Sequence, residues 1–418
     1  MLIDRQHSAA GRMGSWNGRI KIRMRSRICV TCMLCSVLLC NGLALGGQKR
    51  ISCFLLGSVT PGRCPLSSFF SEDPLFTYVA DLQPSGLTIE ERRKMDRLYY
   101  PRSKEVFSEK YDIVFFVDPR LDHFTTKQFA DLEYVCREAG MPSYWAISHG
   151  SENWYTATVF DVLPISTIPL QSYIHRPWHV VFRKEREPVF LPFVALGMEN
   201  VVGGAHARME VKQGAVVWAD IQPAGTPWLA SWKVDAHAGV SWATADEFDP
   251  YWWGVAPQSR GSNPYAIDLV TNLVLHSLER HPVQDILVRR DARGRISSFR
   301  SKKLAVISML EWADSFGANT LSLSEALVGL DAHVAVALDH FLDQEYGASI
   351  SLMDDASSAL DSIADQAVRV KDEALFWVFV LEWLVVTSTA MIAGLVVWSL
   401  MIRRKIYRPV GTTRLQEC

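Results

Sequence analysis

An α/β domain built on a doubly wound parallel sheet, then a helical stalk and a C-terminal transmembrane helix, is what this 418-residue sequence predicts. Three observations predict it. Residues 111–148 run apolar strand, amphipathic helix, apolar strand, which is the unit of a parallel sheet with crossover helices. Residues 304–370 repeat apolar side chains every three or four positions, the spacing of packed helices. Leu375 to Ile402 is a continuous apolar run whose only charge is Glu382, and Arg403, Arg404 and Lys405 follow it at once. About 20 apolar residues suffice to cross a bilayer as a helix.

The N-terminus reads as a second membrane signal. Arg19, Lys21, Arg23, Arg25 and Arg27 precede an apolar run from Ile28 to Gly46 that ends in small residues, so residues 1–46 form a basic n-region with a signal peptide or an uncleaved signal anchor. Basic flanks stay cytoplasmic. The expected placement is therefore the cell membrane, single-pass or two-pass, with the main domain extracytoplasmic and residues 403–418 a cytoplasmic tail. A net charge of −2 argues against a general nucleic-acid binder, which relies on a concentrated basic surface.

Four of the eight cysteines (Cys29, Cys32, Cys35, Cys40) fall in the N-terminal apolar run, where a metal site has no place. Outside the cytoplasm Cys53 and Cys64 are able to form a disulfide, while Cys136 lies in an amphipathic helix and reads as a small buried hydrophobe.

The α/β domain is expected over residues 70–280. Leu75–Ala80 reads as a strand and Ile89–Leu98 as a helix. Tyr111–Asp118, YDIVFFVD, reads as a buried parallel strand. Thr125 is placed to cap a helix over Lys127–Ala139, with Phe129, Leu132, Val135 and Cys136 on one face and Gly140 as the stop. Ser143–Ser148 is the next strand, ended by His149-Gly150-Ser151.

This order of YDIVFFVD, TTKQFADLEYVCREAG, AISHG and ENWYTATVFDVLPI resembles the class I glutamine amidotransferase-like superfamily, in its membrane-associated, non-amidotransferase branch. Asp161-Val162-Leu163-Pro164 matches the Leu-Pro ending of one of its loops. Pro227–Trp232 resembles its late strand, Val234–Thr244 the hairpin that follows, Asp246–Trp253 its acidic, aromatic segment, and Ala266–Leu278 its closing helix, opened by Asn263-Pro264-Tyr265. The resemblance spans roughly residues 76–278 and implies a flavodoxin-like sheet. It also implies a nucleophilic Cys at the turn after the second strand, where turn geometry exposes a thiolate and supplies oxyanion donors. This chain has Ile147-Ser148-His149-Gly150-Ser151 there. Glutaminase activity is not expected.

Ligands of such sheets bind beyond the carboxyl ends of the strands. Asp118 and His149 end neighbouring strands, and Asp122, His123, Ser148, Ser151 and Glu152 lie close by in sequence. Asp118, His149 and Ser148 are thus the catalytic candidates, and Asp118, Asp122, His123, His149 and Glu152 the ligand-binding ones. A hydrolase would need Ser, His and carboxylate in relay, yet adjacent strand residues point apart and no Gly-x-Ser-x-Gly elbow is present. The residue types suit zinc or manganese, but no ligand spacing specifies a site, so no metal and no cofactor are expected. The plain alternative is that these residues cap turns and fix loops. Trp232, Trp242, Trp252 and Trp253, with Asp235, Asp246 and Asp249, suggest either a sugar-stacking surface or, preferentially, core packing or a protein-facing surface.

Arg289–Arg300 with Lys302-Lys303 reads as a solvated loop after the domain. The stalk is expected over residues 301–373. Leu304, Ile307 and Leu310 lead to Gly317, Ser324 caps a helix through Phe341, and Ala356, Leu360, Ile363, Ala367 and Val370 run on toward the membrane helix, residues 375–402. Within that helix Glu382 is a costly intramembrane carboxylate, and Ala390 with Gly394 permits close helix contact. The functional expectation is a membrane-anchored, non-enzymatic binding or assembly module that works with other membrane proteins, with a small ligand or glycan as a further partner class. A hydrolase or metal-dependent enzyme using the crevice around Asp118 and His149 is the alternative.

Overall fold

The computed structural model describes residues 49–57, 64–82, 88–119, 124–146, 158–167, 177–204, 206–246, 248, 250–254 and 263–407. Residues 1–46, read as a signal peptide or signal anchor, and the tail after residue 407 lie outside them.

The sheet begins earlier than the expected domain start at residue 70, with β1 (Ile51–Gly57). Six of its seven residues are buried, so ISCFLLG shows none of the alternation that marks a half-exposed strand. There follow α1 (Leu66–Glu72), β2 (Phe76–Leu82), α2 (Ile89–Tyr99), α3 (Lys104–Lys110), β3 (Ile113–Val117), α4 (Thr126–Arg137) and β4 (Ser143–Ala146). Local chemistry sets these ends. Thr88 with Glu91, and Thr125 with Gln128, form capping boxes that start α2 and α4. Gly140, at φ +69°, takes the left-handed conformation just beyond α4.

The chain continues through β5 (Ile165–Thr167), β6 (Trp178–Phe182), α5 (Leu191–Ala195), β7 (Val202–Gly203), β8 (Glu210–Val211), β9 (Val216–Gln222), β10 (Thr226–Trp232), β11 (Ser241–Thr244), α6 (Pro250–Trp253) and α7 (Ala266–Ser277). Among the described residues nine strands form one mixed sheet in the order β2-β1-β3-β4-β11-β10-β9-β6-β7, and β5 pairs with β8 separately. The first five in that order are mutually parallel, and the remaining four extend the sheet antiparallel. The sheet is therefore not parallel throughout, as the sequence reading had it. β10 and β11 are the expected antiparallel pair.

Two cysteine expectations part ways. Cys136 is buried, as read from its helix face. Cys53 is a free thiol buried in the hydrophobic core, so the pairing with Cys64 that the sequence leaves open is not made; Cys64 is buried in the same core. Cys53 lies in the middle of a core strand, where its side chain serves as packing.

Three long helices complete the fold: α8 (Ile286–Ser315), α9 (Leu321–Leu342) and α10 (Tyr346–Tyr407). The stalk thus starts inside the stretch read as a solvated loop. Arg289 and Arg293 are buried there rather than solvated. Ser324 lies inside α9, its hydroxyl donating to Thr320 O (3.1 Å), and not at the cap. The buried positions repeat at alternating intervals of three and four, the heptad pattern of coiled-coil seams. They are Ala292, Ile296, Phe299, Val306, Leu310 and Ala313 on α8; Leu323, Leu327, Leu330, Ala337 and Phe341 on α9; and Met353, Ala356, Leu360, Ile363, Ala367 and Ala374 on α10. Lys303 occupies one seam position of α8 and pairs with Asp331 of α9. Arg295 pairs with Asp354 and Lys302 with Asp361 (3.0 Å), so α8 and α10 run parallel in one register.

Beyond Ala374, α10 continues without packing partners among the described residues. Phe376, Trp377, Leu384, Val385, Ile392 and Trp398 are all more than half exposed. This part is long and apolar enough to cross a membrane. The α9 helix passes the same test of length and composition, but its seam residues are buried in the bundle.

Candidate functional site

The register of the parallel strands builds a single edge. Leu82, Gly57, Val117, Ala146 and Thr244 stand side by side in adjacent strands and end them in one row. Gly57 is required at its place. Its φ is +111°, and a Cβ there would sit 2.1 Å from Val117 O. Only a glycine lets β1 and β3 approach so closely at their carboxyl ends.

Asp118 follows Val117 on this edge, half-buried, at φ 42°. Its backbone N–H donates to Ala146 O (2.9 Å), so the residue is tied across to the end of β4. Asp tolerates the left-handed region better than most residues because its short polar side chain bonds locally. Asp122, His123, Ser148, His149, Ser151 and Glu152 lie outside the described residues. Among the described residues no group of three or more His, Cys, Asp or Glu side chains is placed to hold a metal ion.

The same edge carries a carboxylate that the sequence reading had placed only in an aromatic, acidic segment. Asp246 lies two residues beyond the end of β11 and is fully buried. Trp253 Nε1 donates to both of its oxygens (2.9 and 3.0 Å), Trp228 Nε1 donates to Oδ2 (3.1 Å), and Phe248 N donates to Oδ1 (3.4 Å). Indole rings surround it. Trp228 stacks on Trp253 (centroids 5.6 Å), Trp252 lies 4.7 Å from both, and Trp178 stacks on Trp252 at 6.2 Å. Gly203 admits this packing, because a Cβ there would lie 2.0 Å from the Trp178 ring. Trp178 in turn meets the buried His206 edge-on, and burial holds that imidazole below its ordinary pKa.

Trp242, Trp252 and Trp253 are fully buried, which is the core reading of this segment. Stacking on a sugar needs a ring face at the surface. Of the four tryptophans singled out, Trp232 alone is half-buried, and Lys212 Nζ lies 4.6 Å over its ring.

Burial of the described thiols bears on the chemistry. Burial pushes Cys136 up to about 12, and burial, helped by Asp112, raises Cys53 well above its usual value. The thiolate is the nucleophilic form, so neither side chain is poised for acyl transfer.

A second polar constellation joins the α/β domain to the helices. Arg289 donates to Asp73 Oδ2 (2.5 Å) and Asp268 Oδ1 (2.5 Å). Arg293 reaches Asp268 through two nitrogens (2.6 and 3.1 Å) and Asp73 at 3.3 Å. Both aspartates are at most 1% exposed. Two carboxylates and two guanidinium groups balance in charge. Burial alone would lower the Arg289 pKa, and the Asp73 and Asp268 carboxylates overcome that and raise it. A cavity of about 10 Å³, room for one water, lies beside Arg289 and is lined also by Phe341, Gln344 and Tyr346. Burial pushes the Tyr346 hydroxyl up to about 12.

The expected membrane contacts lie on the bare part of α10. Glu382 and Ala390 are exposed, and a Cβ on Gly394 would meet nothing within 4 Å. Spaced at four, Glu382, Val386, Ala390 and Gly394 form one ridge of the helix.

The chain matches no protein-family model, and no curated protein matches it.

Proposed function

We propose that this chain is a membrane-held, extracytoplasmic binding or assembly module that works with other membrane proteins. The observation that carries the proposal is the 62-residue α10 helix. Its first half is locked into the bundle, and its second half is apolar and unpartnered among the described residues. The buried Asp73–Asp268–Arg289–Arg293 cluster ties that bundle to the α/β domain, so the domain is carried on a stiff rod and not on a flexible tether. The Glu382–Ala390–Gly394 ridge is the proposed contact with another membrane helix, since small residues permit close approach and an intramembrane carboxylate favours a polar partner.

The scaffold is proposed to be a flavodoxin-like sheet resembling the glutamine amidotransferase-like superfamily, used without its thiol. The 2-1-3-4 order of the first four strands, with β11 as the fifth parallel strand, supports the flavodoxin-like part of that reading. Any small ligand would meet the carboxyl edge around Asp118 and His149.

The test uses full-length protein in detergent. A binding module should hold no stoichiometric metal and hydrolyse no simple ester. Stoichiometric metal, or ester hydrolysis lost on His149→Ala, would replace it with the enzyme reading of the same crevice. Photo-cross-linking from Ala390 and Gly394 in native membranes should yield a discrete protein adduct, and lipid adducts alone would remove the assembly role.

A further inference from the structure

The turn between α8 and α9 stands where the apolar run of α10 begins. Three contacts between the parallel helices α8 and α10 share one offset of 59 residues: Arg295 with Asp354, Lys302 with Asp361, and Lys371 Nζ over the Trp312 ring at 5.9 Å. That register sets Phe316 level with Leu375, the first residue of the apolar run. The turn itself is ordered. Gly317 N donates to Asp314 O (2.9 Å), Ala318 N to Ala313 O (3.2 Å), and Leu321 N to Asn319 Oδ1 (3.3 Å).

This turn exposes large apolar side chains. Phe316 is 46% exposed and Leu321 66%, and Trp312 packs on Phe316 with ring centroids 4.5 Å apart. Aromatic residues favour the membrane interface because their rings are apolar while the interface remains partly wet. The charges at this level are Glu311, Asp314, Asp372 and Glu373 against Lys371, an excess of acid. Such a surface does not seek anionic lipid, so its attraction to a bilayer must come from the apolar side chains.

We infer that the α8–α9 turn is a second membrane contact, in which Phe316 and Leu321 enter the headgroup–acyl boundary of the bilayer beside α10. The inference rests on the proposal that residues 375–402 span a membrane. Two points of contact, one spanning and one interfacial, fix the tilt and rotation of the bundle, which a single helix does not. Because the bundle is joined to the α/β domain through buried ion pairs, they would also fix which face of that domain looks at the membrane.

The test places p-benzoylphenylalanine, one position at a time, at Phe316, Leu321, Leu304 and Val385 of the full chain in phosphatidylcholine nanodiscs, and reads lipid adducts by mass spectrometry. Leu304 is the control for exposure without depth. It is 66% exposed, as Leu321 is, but lies 12 residues before Phe316, about 18 Å back along the helix. The expected result is lipid adducts at 316, 321 and 385 and none at 304. Adducts at 385 without any at 316 and 321 overturn the interfacial contact and leave the span standing. No adduct at 385 overturns the span, and the inference with it. Adducts at 304 as strong as those at 316 overturn the depth assignment.

Discussion

Asp246 shows how a single residue organises the far end of the sheet. It is a buried carboxylate facing the neutral indole donors of Trp228 and Trp253, two rings packed on each other, with the Phe248 backbone N–H as a further donor. Asp246→Ala would strand two buried indole N–H groups, each costing about 1–3 kcal/mol. Chemical denaturation should show that loss, and a smaller one for Asp246→Asn, which keeps one acceptor oxygen. Wild-type stability for Asp246→Ala would mean that water replaces the carboxylate. His206 gives a pH signature. Its folded pKa lies below the ordinary 6.5, so the unfolded chain binds the proton more readily. Stability should be complete above about pH 6.5 and fall as the pH drops from there toward the folded value. Melting temperatures measured across that window should fall less steeply for His206→Gln, and an unchanged slope would assign the effect elsewhere. Some of this scale was legible in the sequence. Thr125 reads as a cap because capping needs only residues three apart. The role of Asp246 was not legible, since one of its donors, Trp228, and another of the surrounding rings, Trp178, come from earlier strands.

Among the elements, α8 departs furthest from its sequence reading. Arg289 to Arg300 looks like a solvated basic loop because its basic residues outnumber the one acid within it, Asp291. The partners of Arg289 are Asp268, 21 residues earlier, and Asp73, 216 residues earlier on the connection between α1 and β2. No local pattern could supply either pairing. Once paired, the same residues start a 30-residue helix. Removing one member of a buried ion cluster leaves an uncompensated charge, and Arg289→Ala should cost about 3–5 kcal/mol. Arg295, a turn and a half further along the same helix, pairs with Asp291 and Asp354 near the surface, where solvent screens the pairs, and Arg295→Ala should leave stability close to that of the wild type. Urea titrations of the two variants should separate them clearly, and equal costs would refute the claim that the joint is the buried cluster. The stalk helices were more legible, because their three-four repeat is local. Within α10, Leu360→Ala should cost about 2–5 kcal/mol, since the side chain is fully buried in the seam.

At the scale of the whole molecule, the question is where the folded body ends along α10. The seam residues run through Ala374, and from Leu375 onward the side chains pack against nothing else described. The apolar run therefore adds no packing to the described body, and together with the apolar run of residues 28–46 it makes the full chain insoluble without detergent. A chain of residues 48–374 keeps the nine-stranded sheet, the buried ion cluster and the complete three-helix seam. It should be soluble without detergent, and its melting temperature should match that of the full chain in detergent to within about 1–2 °C, the shift that 1 kcal/mol produces in a chain of this size. A chain of residues 48–345 removes Met353, Ala356, Leu360, Ile363 and Ala367 from the seam and uncovers the apolar faces of α8 and α9. It should aggregate or melt far lower. Differential scanning calorimetry with sedimentation velocity distinguishes these outcomes. If the 48–374 chain aggregates while the full chain in detergent is well folded, residues beyond 374 belong to the body, and the division into a rigid body and a bare membrane rod is wrong.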